Sequence, residues 1–207
     1  MIRFLRTRTW IVPVLLWAVI SGRLWPQSHR RWIDPASQYR LYLKVLTFDR
    51  NLKARIGDSL TIGILFAGLV RESLQARDDF ARAAADGPAE FEGLPVRVVP
   101  IKYGKEAQIE AALAEGSIDA LYVTPIGHYD LAPVSAACRA KGVSTFSGVP
   151  EYLGRGLSVS FGNRGRQAEV LINKGNSRAE GSDFSARLLG MVTVVDARPK
   201  EGPDEVP

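Results

Sequence analysis

The sequence contains one cysteine, Cys138, and two histidines, His29 and His128. A single thiol cannot close an intramolecular disulfide, and two histidines with one distant cysteine do not make the four-ligand set of a structural zinc site. No metal and no cofactor are implied. Also missing are the Gly-x-Ser-x-Gly elbow of a hydrolase and the glycine spacings that cradle a dinucleotide or nucleoside triphosphate. His128 is the one histidine outside the leader, and its nearest acid, Asp130, sits on the same turn, so no Ser/His/acid triad assembles from local sequence. Asp78 and Asp79 are paired carboxylates, but adjacent helical residues point about 100° apart and cannot clasp one reacting centre. The chain therefore reads as a non-enzyme. Cys138 lies among Ala136, Ala137 and Ala140 and reads as part of a packed helical face rather than as a reactive thiol.

Acidic residues are absent before Asp34, whereas six arginines precede it. Removing those six from the formal charge of +5 leaves the remainder at about −1, so the basic balance belongs to the leader. A nearly neutral body lacks the lysines and arginines that phosphate neutralisation needs, which excludes nucleic acid as the partner. The leader has a basic opening, Arg3 to Arg8, followed by an apolar run from Trp10 to Ile20. That is the length of a signal-peptide core, and a spanning helix needs about twenty apolar residues. Residues 1–32 are read as a signal peptide, or an uncleaved anchor, and linker. The expected location is the periplasm.

The body alternates helical and extended patterns. Tyr39, Tyr42, Leu43 and Leu46 fall at helical offsets within Ser37 to Asn51, with Asp34-Pro35 near the start. Leu60 to Phe66 is an apolar, β-branched strand of the kind covered on both faces. Helices are predicted at Arg71–Ala85, Lys105–Glu115 and Ile126–Lys141, separated by strands at Leu94–Ile101, Ile118–Val123 and Val143–Phe146. Leu157–Phe161 and Ala168–Ile172 flank Gly162 to Gly165 and read as an added hairpin. A last helix, Ser182–Leu189, leads into Met191–Val195. The pattern predicts a three-layer α/β/α sandwich with a mostly parallel sheet plus a C-terminal antiparallel hairpin, as a single domain over 33–196. Residues 197–207 read as a disordered tail.

Ligands enter open α/β sheets at the carboxyl ends of the strands. Here those ends carry Ala67 and Gly68, then Thr124, Pro125 and Gly127, then Phe146 and Ser147, with Tyr122 and His128 beside the middle group. These nine residues are the candidate cleft for a ligand or partner. The same residues also suit ordinary strand-to-helix connections.

From Tyr39 to Val195 the chain resembles the YfiR-like family (DUF4154), in Val143 to Ser147, Gly154 to Phe161, Val170 to Asn173 and Ser185 to Leu189. The resemblance assigns scaffold roles to Gly156, Phe161, Asn173, Leu188 and Leu189. It implies a small periplasmic regulator that binds the extracytoplasmic part of a membrane signalling protein, such as a diguanylate cyclase or a sensor kinase. The cysteine pairs of several members are absent here. A second likeness, Glu110 to Thr124, is similar to a segment of the substrate-binding proteins of ABC transporters and implies a small-molecule sensor or binding component. Regulation is the leading expectation and ligand binding the alternative. A homodimer is a further candidate assembly.

Overall fold

The computed structural model describes residues 33–165 and 167–196. The leader and tail expectations fall outside the described residues. The first helix, α1 (Pro35–Leu46), starts where Pro35 pre-sets the backbone and the Asp34 carboxylate accepts from Ser37 N at 2.9 Å. It buries the predicted stripe of Tyr39, Tyr42, Leu43 and Leu46. A short α2 (Leu52–Arg55) precedes β1 (Leu60–Phe66), all but the last residue of which is buried. Then follow α3 (Arg71–Asp86), a two-residue β2 (Glu90–Phe91), β3 (Leu94–Lys102), α4 (Glu106–Glu115) and β4 (Ala120–Val123). The chain continues through α5 (Ala132–Lys141), β5 (Ser144–Ser147), a 3-10 helix (Pro150–Arg155), β6 (Val159–Arg164) and β7 (Gln167–Asn173). It closes with α6 (Lys174–Ala179), α7 (Ala186–Leu189) and β8 (Thr193–Val195).

The strands form one eight-stranded sheet in the order β2-β3-β1-β4-β5-β6-β7-β8. From β3 to β6 every pairing is parallel, β6 and β7 form the antiparallel hairpin, and β8 returns parallel to β7. Helices flank both faces. Tyr39 and Tyr42 of α1 and Phe80 of α3 pack with Ile62, Ile64, Tyr122, Phe146 and Phe161 on one side. On the other, Ile109 and Leu113 of α4 and Val134, Ala137 and Cys138 of α5 pack with Leu65, Leu121 and Val123. The alternation of sides along each strand follows from the two-residue period of the β backbone. Cys138 is fully buried, and burial pushes its thiol well up.

Several boundaries differ from the sequence reading. The helix expected from Ile126 begins only at Ala132, because Gly127 has φ 65° and Pro133 fits the first helical turn. The hairpin strands run on through Gly162 and Asn163, which are paired residues rather than turn, and the bend comes at Gly165 with φ 65°. The single helix expected over 182–189 is shortened to α7, and an unexpected α6 lies ahead of it with residues 180–185 between them.

The scaffold residues named above have physical reasons to be where they are. Gly156 ends the 3-10 helix at φ 106°, and a Cβ there would sit 2.6 Å from Ser135 Oγ. Asn173 caps α6 by accepting from Asn176 N at 3.0 Å. Phe161 and Leu188 are core, and Leu189 packs against it half-buried.

Candidate functional site

The strand order reverses at β1. The chain leaves it through α3 to reach β3 on one side and crosses back through α4 to β4 on the other. The connections after β1 and β4 therefore diverge, and an open sheet has its ligand crevice at such a reversal. The carboxyl ends of β3, β1, β4 and β5 bring together Lys102, Ala67, Thr124 and Ser147.

At these carboxyl ends, buried hydroxyls lock the strands to one another. Ala67 N donates to Ser73 Oγ at 2.8 Å, Ser73 meets Thr124 Oγ1 at 2.5 Å, and Thr124 donates on to Leu65 O at 2.8 Å. Ser147 donates to Val123 O at 2.7 Å and accepts from Val149 N at 3.1 Å, while Ser160 donates to Ser147 O at 2.9 Å. Each hydroxyl satisfies a neighbour that burial would otherwise leave unpaired. Thr124 and Ser147 thus fix the strand ends, with their hydroxyls already engaged. Gly148 lets the side chain of Gln38 cross: a Cβ on Gly148 would lie 2.5 Å from Gln38 Nε2.

Of the nine candidate residues, Ala67, Tyr122, Thr124, Pro125, Phe146 and Ser147 are buried, Gly68 is half-buried, and Gly127 and His128 are exposed. Tyr122 stacks on Phe80 at 4.1 Å and Phe146 on Tyr42 at 3.5 Å, so both side chains belong to the core rather than to the crevice. Burial holds the Tyr122 phenol above its ordinary value.

The solvent-facing rim comes from residues outside that set. Leu69, on the turn after β1, is 91% exposed. Gly68 packs against Lys102, which a Cβ would approach to 3.0 Å. Tyr103 N donates to Phe66 O at 2.8 Å, and its phenol donates to Asp130 O at 2.8 Å, so this one residue links β1 to the loop after β4. Its ring lies 4.8 Å from that of Tyr129. Arg155 donates to Tyr129 O at 2.5 Å with its guanidinium 5.0 Å from the Tyr152 ring. The signal for Lys102 and Tyr103 was available in the sequence. Lys102-Tyr103-Gly104 terminates a predicted parallel strand, by the same rule that singled out Gly68 and Thr124. Tyr129 and Arg155 gave no comparable signal, since their meeting depends on how the 3-10 helix packs under the loop after β4.

At the opposite, amino ends of the strands a cleft of about 950 Å³ is lined by Arg55, Thr61, Arg97, Asp119 and Lys141 among others. Asp119 accepts from Thr61 N at 2.8 Å, and burial raises its carboxyl above the ordinary range. Among the described residues no group of three His, Cys, Asp or Glu could hold a metal ion. None of the described helices is long and apolar enough to cross a membrane.

No family model matches the sequence, and no curated relative does. Solved structures share the fold. An ABC domain in complex with L-Trp from Streptococcus pneumoniae superposes with a TM-score of 0.56 at 14% identity, covering 78% of this chain and 62% of that one. A conserved domain protein from Vibrio cholerae gives 0.51 at 16% identity, covering 78% and 60%. A substrate binding protein with adhesive properties from Clostridium difficile, in its ligand-free, open form, gives 0.53 at 14% identity, covering 72% and 58%. The chain thus spans about three-fifths of the length of these structures.

Proposed function

We propose that the protein is an exported, non-enzymatic binding protein that holds a small organic ligand in the crevice where the strand order reverses at β1. The observation that carries this reading is the rim itself. Tyr103 and Tyr129 offer aromatic faces, Lys102 and Arg155 offer positive charge, and the strand ends are fixed by engaged hydroxyls. Such a rim suits a ligand with a flat or apolar body and a carboxylate. The shared fold with a substrate binding protein and with a domain seen in complex with L-Trp supports it. Titration of the full chain with a panel of amino acids and aromatic carboxylates, read by calorimetry, tests the reading. A saturable one-to-one heat that weakens about tenfold in Lys102→Gln is expected, as for loss of a charged hydrogen bond. A panel with no binder, on protein shown to be folded, sinks it.

The YfiR-like resemblance supports a second reading, in which the protein represses a membrane signalling partner. The blocks that carry this resemblance fall on β5, the approach to β6, the end of β7 and α7, which are scaffold positions. Leu69, apolar and exposed beside the crevice, is the residue on which a partner contact would fall. Capture from detergent-solubilised membranes with wild type but not with Leu69→Asp would favour this second reading.

A further inference from the structure

We propose that a second pocket, at the other end of the sheet from the crevice, binds a compact phosphate-class oxyanion. It has a volume of about 180 Å³ and is bounded by Arg50, α6 and the segment from Ser182 to Leu189. A water's share of liquid volume is about 30 Å³, so the pocket has room for about six waters, or for a tetrahedral oxyanion with several waters around it.

Charge selects the ligand class. Among the described residues, Arg50, Lys174 and Arg178 line the pocket against one acid, Asp183, which already pairs with Arg50 at 2.8 Å. Lys174 and Arg178 stand four residues apart on α6, whose sequence, Lys-Gly-Asn-Ser-Arg-Ala, contains no acid. Neither forms an ion pair with any described residue. Like charges at this spacing repel. A dianion between them reverses that sign, and a guanidinium can meet two of its oxygens at once.

The wall offers a hydroxyl as well. Ser182 is buried and its Oγ accepts from the Arg55 guanidinium at 3.1 Å, which leaves its own proton for a ligand oxygen. Buried Phe184 and half-buried Leu189 make the remaining wall apolar, which lowers the local dielectric and strengthens each charge interaction. Ser182 of its wall is bonded by Arg55, which also lines the cleft at the amino ends of the strands, so the pocket lies towards that side of the sheet.

The test is a titration of the ¹⁵N-labelled full chain with inorganic phosphate, and in a second arm with glycerol 3-phosphate, at constant ionic strength. Saturating shifts are expected on amides from Lys174 to Phe184, with Gly68 and Gly127 unmoved. The double variant Lys174→Gln/Arg178→Gln should weaken binding about tenfold or more, the usual effect of losing charged hydrogen bonds. Asp183→Asn removes the carboxylate that pairs with Arg50 and should tighten it. Tighter binding in one arm tells free phosphate from an ester. Shifts that stay linear in both arms, shifts centred on Gly68, or a double variant that binds like wild type would overturn the proposal. Failure of the crevice to bind a carboxylate leaves this titration unaffected.

Discussion

Glu180 is a carboxyl whose chemistry departs far from that of its type in water. It is fully buried, accepts from Thr145 N at 2.9 Å and Thr145 Oγ1 at 2.7 Å, and is also held by the Ser158 hydroxyl. Burial outweighs these hydrogen bonds and the attraction of Arg139, and pushes its carboxyl from 4.5 up to about 7. The folded-state value lies above the unfolded one, so the stability contributed by the bound proton is fully present below about 4.5. It is lost as pH rises through about 7. The predicted loss is about 3 kcal/mol across that window. Urea denaturation at pH 5 and pH 8 should show wild type losing that much relative to Glu180→Gln, whose amide does not titrate. Equal losses would mean that the buried carboxyl is not perturbed. A second prediction concerns Gly156, where left-handed backbone and the Ser135 hydroxyl both oppose a side chain. Gly156→Ala should cost about 2 kcal/mol or more, read as a shift in denaturation midpoint without a change in slope.

At the scale of elements, hydrophobic periodicity decides how far the sequence could be read. α1, β1, α3 and α4 were legible because each has an unbroken stripe or run: Tyr39, Tyr42, Leu43 and Leu46 on α1, and Leu60 to Leu65 on β1. α6 was not legible, since Lys-Gly-Asn-Ser-Arg-Ala has no apolar face and low helix propensity. It forms because Asn173 caps it and because Asn176 donates to Leu157 O at 2.9 Å and Leu153 O at 3.2 Å. Those are long-range contacts that no local window contains. The candidate site divides in the same way. The strand ends were readable from alternation, but Tyr122 and Phe146 turned out to be core because α1 and α3 lay aromatic side chains over them. That packing makes its own prediction. Phe80 stacks on Tyr122 at 4.1 Å and meets Tyr39 edge-on at 5.7 Å, so it joins α3 to both β4 and α1. Phe80→Ala should cost about 3 to 5 kcal/mol. The loss should appear as faster hydrogen exchange in both helices, since the ring supports both.

The whole molecule is closed by its C-terminal segment, and this is where local contacts add up to a global requirement. Asp49, following α1, accepts from Asp183 N at 2.9 Å and pairs with the Arg55 guanidinium. Arg55 in turn donates to Gly142 O at 2.8 Å and to Ser182 Oγ at 3.1 Å. Ser185 N donates to Phe48 O at 3.0 Å, and Phe184 and Leu188 enter the core that α1 and α3 share. Asp49 and Asp183 stand 134 residues apart, so these contacts span most of the described residues and pin distant parts of the fold together. Removing Phe184 or Leu188 alone should cost about 3 to 5 kcal/mol for the ring and 2 to 5 for the leucine. Together these approach the 5 to 15 kcal/mol total stability of a domain. Deleting everything after Gly181 also strips the Asp49 carboxylate, which is buried, of its partner at Asp183 N, and an underpaired buried charge costs more again. A chain ending at Gly181 should therefore fail to fold, losing near-ultraviolet circular dichroism and exposing apolar surface to a hydrophobic dye. Phe184→Ala should fold with a lowered denaturation midpoint. A truncated chain with a wild-type midpoint would show instead that the sheet from β3 to β6 is stable by itself and that the closing segment only decorates it.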